Sequence, residues 1–367
     1  MNIQGRVAIV TDALVAFGGA DRVLKELCVM FPEYDIFTSL FIPEVYPWLD
    51  PKKVRTMCIQ KWPGTQFWKR HYVPFSPIGF EQFDFSGYEL VISLSAGCAK
   101  GVVTTADTLH IGIILTPPRN QWDGVPRRWS PVRSIIDGYL RVWDVEAGMR
   151  PDILVAISKY IQSRINQVYK RDSTVVYPGI DTSFWTLGPR DSSSLLKRKD
   201  QYLVVSRLHD YKMIDLAIRA CTRLWKKLVV IGDGPELRRL KKIRSEIVTF
   251  LGYMSDEVVR DYMRTSRGFL FPGVEDFGLA PVEAMGCGAP VVAYYRGGVP
   301  ETVIEGKTGI LFSAQTEEAL SEAIVTCDSH VWDEEAISRH VSTFSQENFR
   351  NNFTSIVSNA RKERTKA

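Results

Sequence analysis

Short runs of apolar, β-branched residues alternate along the chain with longer stretches whose apolar positions recur every three to four residues. That rhythm predicts parallel α/β architecture. In the first half, strands are expected at Val7–Val10, Ile36–Ser39, Leu90–Ser93, His110–Leu115, Ile153–Ala156 and Thr174–Val176. Helices are expected there at Ala20–Met30, Pro131–Glu146 and Lys159–Tyr169. The second half repeats the pattern, with strands at Tyr202–Val205, Leu228–Ile231, Val248–Leu251, Gly268–Phe271, Pro290–Ala293 and Gly309–Phe312. Its helices are expected at Met213–Leu224, Pro235–Arg244, Asp256–Arg264, Ala280–Met285 and Glu317–Thr326. Two doubly wound units joined near Tyr177-Pro178-Gly179 would place a ligand in the cleft between them, at the carboxyl ends of strands. The polar stretch Pro189–Asp200 reads as a surface loop. A final helix, Ser345–Arg361, carries Phe349, Phe353 and Ile356 on one face, and the RKERTKA tail beyond it is expected to fray.

Within this frame the run Gly273–Gly288, GVEDFGLAPVEAMGCG, holds the most chemistry. It sets Glu275 and Glu283 eight positions apart, with Phe-Gly-Leu-Ala and Pro281 between them. Proline suits the first turn of a helix, so the N–H groups of Gly278, Leu279 and Ala280 are expected free at a helix N-terminus, where an anion is favoured. One acid then precedes the anion site and the other lies about a turn into the helix. Carboxylates do not bind phosphate, but they suit hydroxyls on either side of it. A sugar and a ribose joined by a diphosphate fit that layout.

Other strand-to-helix loops add candidates. Gly18-Gly19 follow the first strand, where glycine either admits a phosphate or acceptor to the backbone or supplies a turn with positive φ. The spacing is not G-x-G-x-x-G. Arg207 and Lys212 follow the first strand of the second half and would neutralise a leaving diphosphate, unless they are a solvated pair. Gly232 and Gly234 read as a turn into a helix. In GYMSD (Gly252–Asp256), Met254 and Asp256 are placed to read a nucleotide base, with Asp256 as a simple N-cap the alternative. His110, Arg119 and Asp123 gather around the end of an N-terminal strand as acceptor-side candidates, a buried ion pair being the alternative. Asp144-Val-Glu146 resembles an acidic metal pair, but its helical position reads as an exposed face.

Composition adds little to this picture but excludes some functions. With 367 residues, 45% hydrophobic and 24% charged, the chain fits a globular protein of two domains. A net charge of +4 gives no argument for nucleic acid. The six cysteines are scattered with no metal-ligand spacing, so buried free thiols in a reducing compartment are expected. No run reaches the roughly 20 apolar residues of a spanning helix, and a cytoplasmic protein is expected. Residues 52–72 carry six cations and no acid, interleaved with Trp62, Phe67, Trp68 and Tyr72. They would make either a peripheral contact with anionic lipid or a basic helix with its aromatics in the core.

Taken together, GGADRVL, YELVIS, HIGIILTPPRNQWD, SKYIQSRI, VVYPGIDTSFW, VVSRLHDYKMIDLAIRA, VVIGDGPE, TFLGYMSDE, EDFGLAPVEAMGCGAPVVAYYRGGVPETV and TGILF resemble the retaining, nucleotide-sugar-dependent glycosyltransferases of GT-B fold, glycosyltransferase family 4, which include bacterial polysaccharide mannosyltransferases. The resemblance implies an acceptor-side Rossmann-like domain over 1–176, a donor domain over 177–344, and a helix, 345–367, returning to the first. It implies that Glu275 contacts the donor sugar and Glu283 the ribose, and that the amides of Phe277, Gly278, Leu279 and Ala280 hold sugar and diphosphate. Arg207 and Lys212 would stabilise the leaving group, and Gly19 would face it across the cleft. No metal or cofactor is required on this reading. The implied donor is GDP-mannose first and a UDP-sugar second, and the acceptor is a glycan or lipid-linked saccharide. Two positions depart from the family. Leu115 stands where it commonly has His, and Ser95-Ala96 stands where Ser-His is frequent. They make an inactive nucleotide-sugar-binding protein of the same fold the first alternative; the other is a nicotinamide-dependent oxidoreductase on Rossmann domains, which the missing N-terminal G-x-G-x-x-G disfavours.

Overall fold

The computed structural model describes residues 5–61, 75–123, 130–188 and 198–366. The chain divides into two compact units, one of Met1–Tyr177 with Arg350–Ala367 and one of Pro178–Phe349.

The first unit holds β1 (Arg6–Thr11), α1 (Gly19–Met30), β2 (Tyr34–Thr38), β3 (Val54–Thr56), α2 (Ser76–Glu81), β4 (Tyr88–Ser95), β5 (Leu109–Ile114), α3 (Arg119–Trp122), α4 (Pro131–Met149), β6 (Ile153–Ala156), α5 (Lys159–Tyr169) and β7 (Thr174–Val175). The strands form one parallel sheet in the order β3-β2-β1-β4-β5-β6-β7. Register is fixed by a row of isoleucines. Ile36, Ile9, Ile92 and Ile111 lie side by side across four strands, all fully buried, and Ile153 continues the row. A slip of one residue would turn this whole row to the other face of the sheet.

The second unit holds β8 (Lys199–Val205), α6 (Ile214–Arg223), β9 (Lys227–Ile231), α7 (Leu237–Ile243), β10 (Val248–Gly252), α8 (Asp256–Thr265), β11 (Ser266–Phe271), α9 (Leu279–Gly286), β12 (Val291–Tyr294), α10 (Val299–Thr302), β13 (Gly309–Phe312), α11 (Glu317–Ser329) and α12 (Glu334–His340). Its sheet, also parallel, runs β10-β9-β8-β11-β12-β13. Leu203, Phe269 and Val291 line up across its middle and are fully buried.

In each sheet the strand order reverses once, at β1/β4 in the first and at β8/β11 in the second. Loops leaving the carboxyl ends of such a pair diverge to opposite faces and leave a crevice for a ligand. The last helix, α13 (Gln346–Lys366), begins in the second unit and contributes Arg350 onward to the first. There Phe353, fully buried, meets Phe31 edge-on at 6.4 Å, and Arg350 donates to Glu26 at 2.8 Å.

Several expectations are corrected. The tail does not fray after Arg361, because Arg361 pairs with Glu89 at 3.3 Å and Arg364 with Asp152 at 2.8 Å, and the helix runs to Lys366. Lys199 and Asp200, assigned to a loop, open β8, while 189–197 lie outside the described residues. Of the basic stretch 52–72, residues 62–72 also lie outside them. Its described part is not an α-helix but 3-10 turns and β3, with Lys53 donating to the Pro32 carbonyl at 2.8 Å. Cysteines 28, 221, 287 and 327 are buried free thiols, but Cys58 is exposed. Among the described residues, no helix is long and apolar enough to cross a membrane.

Candidate functional site

The second unit assembles its site at the β8/β11 crevice. β8 ends at Val205, and the chain then carries Arg207 and a 3-10 turn, Asp210–Lys212, before α6. β11 ends at Phe271, and the chain passes Glu275 before entering α9. The two loops meet: the Lys212 ammonium forms an ion pair with the Glu275 carboxylate, both side chains largely enclosed at 12% and 18% exposure. Lys212 Nζ also lies 5.1 Å from the centre of the Tyr211 ring. Arg207, at the mouth of the same crevice, is exposed.

Glycines make this approach possible. At Gly273 a Cβ would lie 2.9 Å from the Lys212 Cα, so a side chain there would push the two loops apart. Gly297, with φ of +73°, forms an isolated bridge with Glu275, and its Cβ would stand 2.1 Å from the Glu275 carbonyl oxygen. Gly298 N–H donates to that same oxygen at 2.8 Å. The Arg-Gly-Gly turn after β12 is therefore the floor beneath Glu275. Gly273 opens the run that the sequence points to, whereas the 297–298 pair lies outside it, and its place in a loop that follows a strand is the available signal.

Phe277 is buried and packs edge-on against Phe344 at 5.7 Å, so its side chain anchors the loop and only its backbone is available to a ligand. Gly278, with φ of +89°, is the N-cap of α9. Leu279 and Ala280 open the helix, and the first N–H groups of a helix have no partner within it. Glu283 lies one turn further in and is 5% exposed. Burial holds the Cys287 thiol, at the C-cap of the same helix, up at about 12. It is a neutral packing group and not a nucleophile. The arrangement offers two cations, a helix N-terminus and two carboxylates to a ligand that carries both phosphates and hydroxyls.

Met254 and Asp256 stand beyond β10, two strands from β8. Asp256 is exposed and begins α8, and the N-cap is Ser255, which corrects the capping alternative for Asp256. Gly232, with φ of +129°, and Gly234 are required by backbone packing. Their Cβ atoms would lie 1.9 Å and 2.5 Å from the Ser206 and Leu208 carbonyl oxygens.

In the first unit the β1/β4 crevice carries Gly18 and Gly19 on one side and Ala96-Gly97 on the other. Gly18 is extended at φ of −160°, so a positive-φ turn is not its reason for being glycine. Its N–H donates to Asp21 Oδ2 at 2.7 Å. Asp12, at the end of β1, accepts from the N–H groups of Ala96 at 2.7 Å and Ala99 at 2.8 Å, tying the two loops together. Arg119 Nε lies 4.0 Å from Asp123 Oδ2, and Asp123 is in turn gripped by both terminal nitrogens of Arg164. Leu115 N–H donates to the Ser95 carbonyl at 2.8 Å, continuing the β4–β5 ladder.

Two first-unit expectations are overturned. His110 is wholly enclosed in β5 and bonded to Ser93 Oγ at 2.8 Å, so it is a core histidine and not an acceptor contact. Burial lowers its pKa to about 3, which keeps it neutral. Asp144 is not on an exposed face. It is 2% exposed and paired with Lys100 at 2.5 Å, whereas Glu146 is exposed. Among the described residues, no group of three or more His, Cys, Asp or Glu side chains gathers as a metal site.

Residues 190–327 match the family described as Glycosyl transferases group 1. The GDP-mannose-dependent alpha-(1-6)-phosphatidylinositol monomannoside mannosyltransferase of Mycolicibacterium smegmatis is 29% identical over 202 residues, 48% of this chain and 53% of that protein. The D-inositol 3-phosphate glycosyltransferase of the same organism is 33% identical over 43% of this chain and 38% of its own length. The chain thus spans about half the length or less of these curated relatives. Among solved structures, sucrose-phosphate synthase of Thermosynechococcus elongatus matches with a TM-score of 0.74 at 16% identity, covering 98% of this chain and all of that one. Anabaena HepE in complex with UDP-glucose matches at 0.69 and 18% identity, covering 96% and 99%. The fold is that of the GT-B glycosyltransferases, α/β with two Rossmann-like units.

Proposed function

We propose that this chain, which has the GT-B fold and carries a group 1 glycosyl transferase domain over residues 190–327, is a retaining transferase that moves a hexose from a nucleoside diphosphate sugar to a glycan or lipid-linked acceptor. The observation that carries this reading is the meeting of Lys212 with Glu275 in front of the α9 N-terminus. A cation, an acid and a row of backbone donors are what a sugar diphosphate needs at its three parts. Arg207 and Lys212 take up the charge that develops on the leaving diphosphate, and the amides of Gly278, Leu279 and Ala280 assist them. Glu275 orients the sugar hydroxyls and Glu283 the ribose.

In the reaction the bond from the anomeric carbon to the diphosphate oxygen breaks, and the acceptor hydroxyl forms the new bond on the same face. The departing oxygen takes the acceptor's proton, so no separate general base is required. The protein's own cations supply the electrostatic stabilisation, and the reaction proceeds without metal. GDP-mannose is the first donor, supported by the Mycolicibacterium relative's named dependence. A UDP-sugar is second, supported by the HepE complex. The acceptor is taken by the first unit, through Arg119 and Asp123, and the enzyme works in the cytoplasm with a peripheral membrane contact through 52–72.

The test is a donor screen that reads release of GDP or UDP, with Glu275→Ala as control. GDP release from GDP-mannose that vanishes in the variant supports the assignment, and NMR of the product must find the donor's anomeric configuration kept. Undiminished turnover in Glu275→Ala, or turnover abolished by EDTA, overturns the respective part. Binding of nucleotide without any turnover would favour the inactive, nucleotide-sugar-binding alternative, for which Leu115 and Ala96 are the motive.

A further inference from the structure

Lys212 has a second partner besides Glu275, and it is of a different kind. Lys212 Nζ stands 5.1 Å from the centre of the Tyr211 ring. That lies inside the roughly 6 Å over which an aromatic face attracts an ammonium. The Tyr211 ring in turn lies nearly parallel to the His209 imidazole, with the planes 25° apart and the centres at 5.8 Å. The turn between β8 and α6 therefore sets an imidazole, a phenol ring and an ammonium in series.

The backbone beneath this series is fixed. Tyr211 N–H donates to Asp210 Oδ1 at 2.8 Å, and Lys212 N–H donates to the His209 carbonyl at 3.1 Å. A Cβ at Gly273 would stand 2.9 Å from the Tyr211 carbonyl oxygen, so the turn is seated directly against the loop that carries Glu275. The ring, by contrast, does not build a core. It is 39% exposed, and none of the residues Asp210–Lys212 is buried. A large aromatic side chain kept partly in water beside a cation is explained by the cation and not by the fold.

The two partners act on the ammonium in different ways. A carboxylate cancels the charge it pairs with. An aromatic ring attracts a cation through its quadrupole and leaves the charge available to an anion. This difference matters when a diphosphate enters the crevice, because it draws Lys212 away from Glu275. An ammonium on a flexible four-carbon stem has no position of its own. The ring gives it one, within reach of the crevice, at no loss of charge.

We propose that Tyr211 is a positioning residue for Lys212: the face of its ring holds the ammonium in the crevice, still charged, while a sugar diphosphate is bound. The proposal rests on the glycosyltransferase reading for the identity of the anion. The hold of the ring on Lys212 does not depend on it.

The experiment uses the full chain with Tyr211→Leu, Tyr211→Phe, and mono-, di- and trifluorinated phenylalanine in place of Tyr211. Fluorine withdraws electron density from the ring face at nearly constant shape, so the attraction for a cation falls in steps. Tyr211→Leu is expected to lower kcat by about tenfold with both substrates saturating, and its thermal midpoint stays near the native one. Tyr211→Phe keeps the face and rescues the rate, and the fluorinated series falls progressively between the two. Fluorinated rings that all match Tyr211→Phe would mean that the ring acts by bulk alone, which overturns the proposal. So does a loss of stability that tracks the loss of rate. A second readout needs no turnover. The Tyr211 ring is expected to move the ε-methylene proton signals of Lys212, identified by their absence in Lys212→Gln, away from the common lysine position, and Tyr211→Leu returns them to it. Native signals already at the common position overturn the proposal. Displaced signals in a protein that turns over no nucleotide sugar support the hold of the ring while refuting the transferase reading, so the two failures are told apart.

Discussion

Lys212 and Glu275 form an ion pair, although they arrive from loops on opposite sides of the strand-order reversal. A diphosphate that enters the crevice competes with Glu275 for the Lys212 ammonium. Glu275→Gln keeps the shape of the side chain but releases the cation. It is therefore expected to bind GDP or UDP at least as tightly as the native protein while losing transfer by about a hundredfold or more. Lys212→Gln should lose both binding and rate. Calorimetric titration alongside turnover checks this, and weaker nucleotide binding in Glu275→Gln would mean that the pair is not in competition with the ligand.

Gly297 and Gly306 form a matched pair for testing the floor beneath Glu275. Both have positive φ, +73° and +70°, but only Gly297 is crowded, with its Cβ 2.1 Å from the Glu275 carbonyl oxygen. At Gly306 nothing lies within 4 Å. Gly306→Ala is expected to lower stability by about 1–2 kcal/mol through backbone strain alone and to leave transfer intact. Gly297→Ala adds the clash, so it should destabilise further and remove transfer by displacing Glu275. Urea unfolding and donor turnover on the two variants separate strain from displacement.

Much of this architecture was legible because it is written in local pattern. The predicted spans at Ile153–Ala156, Lys159–Tyr169 and Gly309–Phe312 coincide with β6, α5 and β13 residue for residue. What escaped depends on distant partners. β3 is three residues, Val-Arg-Thr, and exists because it pairs with β2. α12 carries a single buried apolar side chain, Ile337, and offers no period to read. α2 is only six residues long, too short for a helical period to show. Asp144 reads as solvent-facing until Lys100, 44 residues earlier, is brought against it. The Gly-rich site run was legible for the opposite reason. Its acids, glycines and proline lie within one strand-to-helix connection, and only the contribution of Gly297 from the next loop was hidden.

The returning helix gives a prediction about stability. Phe353 is fully buried in the first unit and meets Phe31 edge-on at 6.4 Å, while the Arg350–Glu26 pair beside it is partly exposed. Phe353→Ala should cost about 3–5 kcal/mol, and Arg350→Ala, which takes one cation from the buried Glu26 carboxylate, about 1–3 kcal/mol. Thermal melts rank the two. Similar losses would mean that α13 is held by its charges and not by its aromatic face.

His110 predicts how stability follows pH. Burial is the main cause of its low pKa; the Arg150 and Arg171 charges add to the lowering, and Asp152 partly opposes it. The folded value of about 3 lies well below the unfolded value near 6.5. Between these limits the unfolded chain takes up a proton that the native protein refuses. The contribution of His110 is thus fully present above about pH 6.5 and is lost as pH falls toward 3, at close to 1.4 kcal/mol per pH unit once well below 6.5. His110→Gln keeps a polar side chain beside Ser93 but cannot titrate. It should be less stable than the native protein near neutrality, yet lose less on acidification from about pH 6 to about pH 5. Urea unfolding at the two pH values measures the difference directly. Parallel pH dependences for the two proteins would mean that His110 is charged in the fold, with its Ser93 bond rearranged to suit.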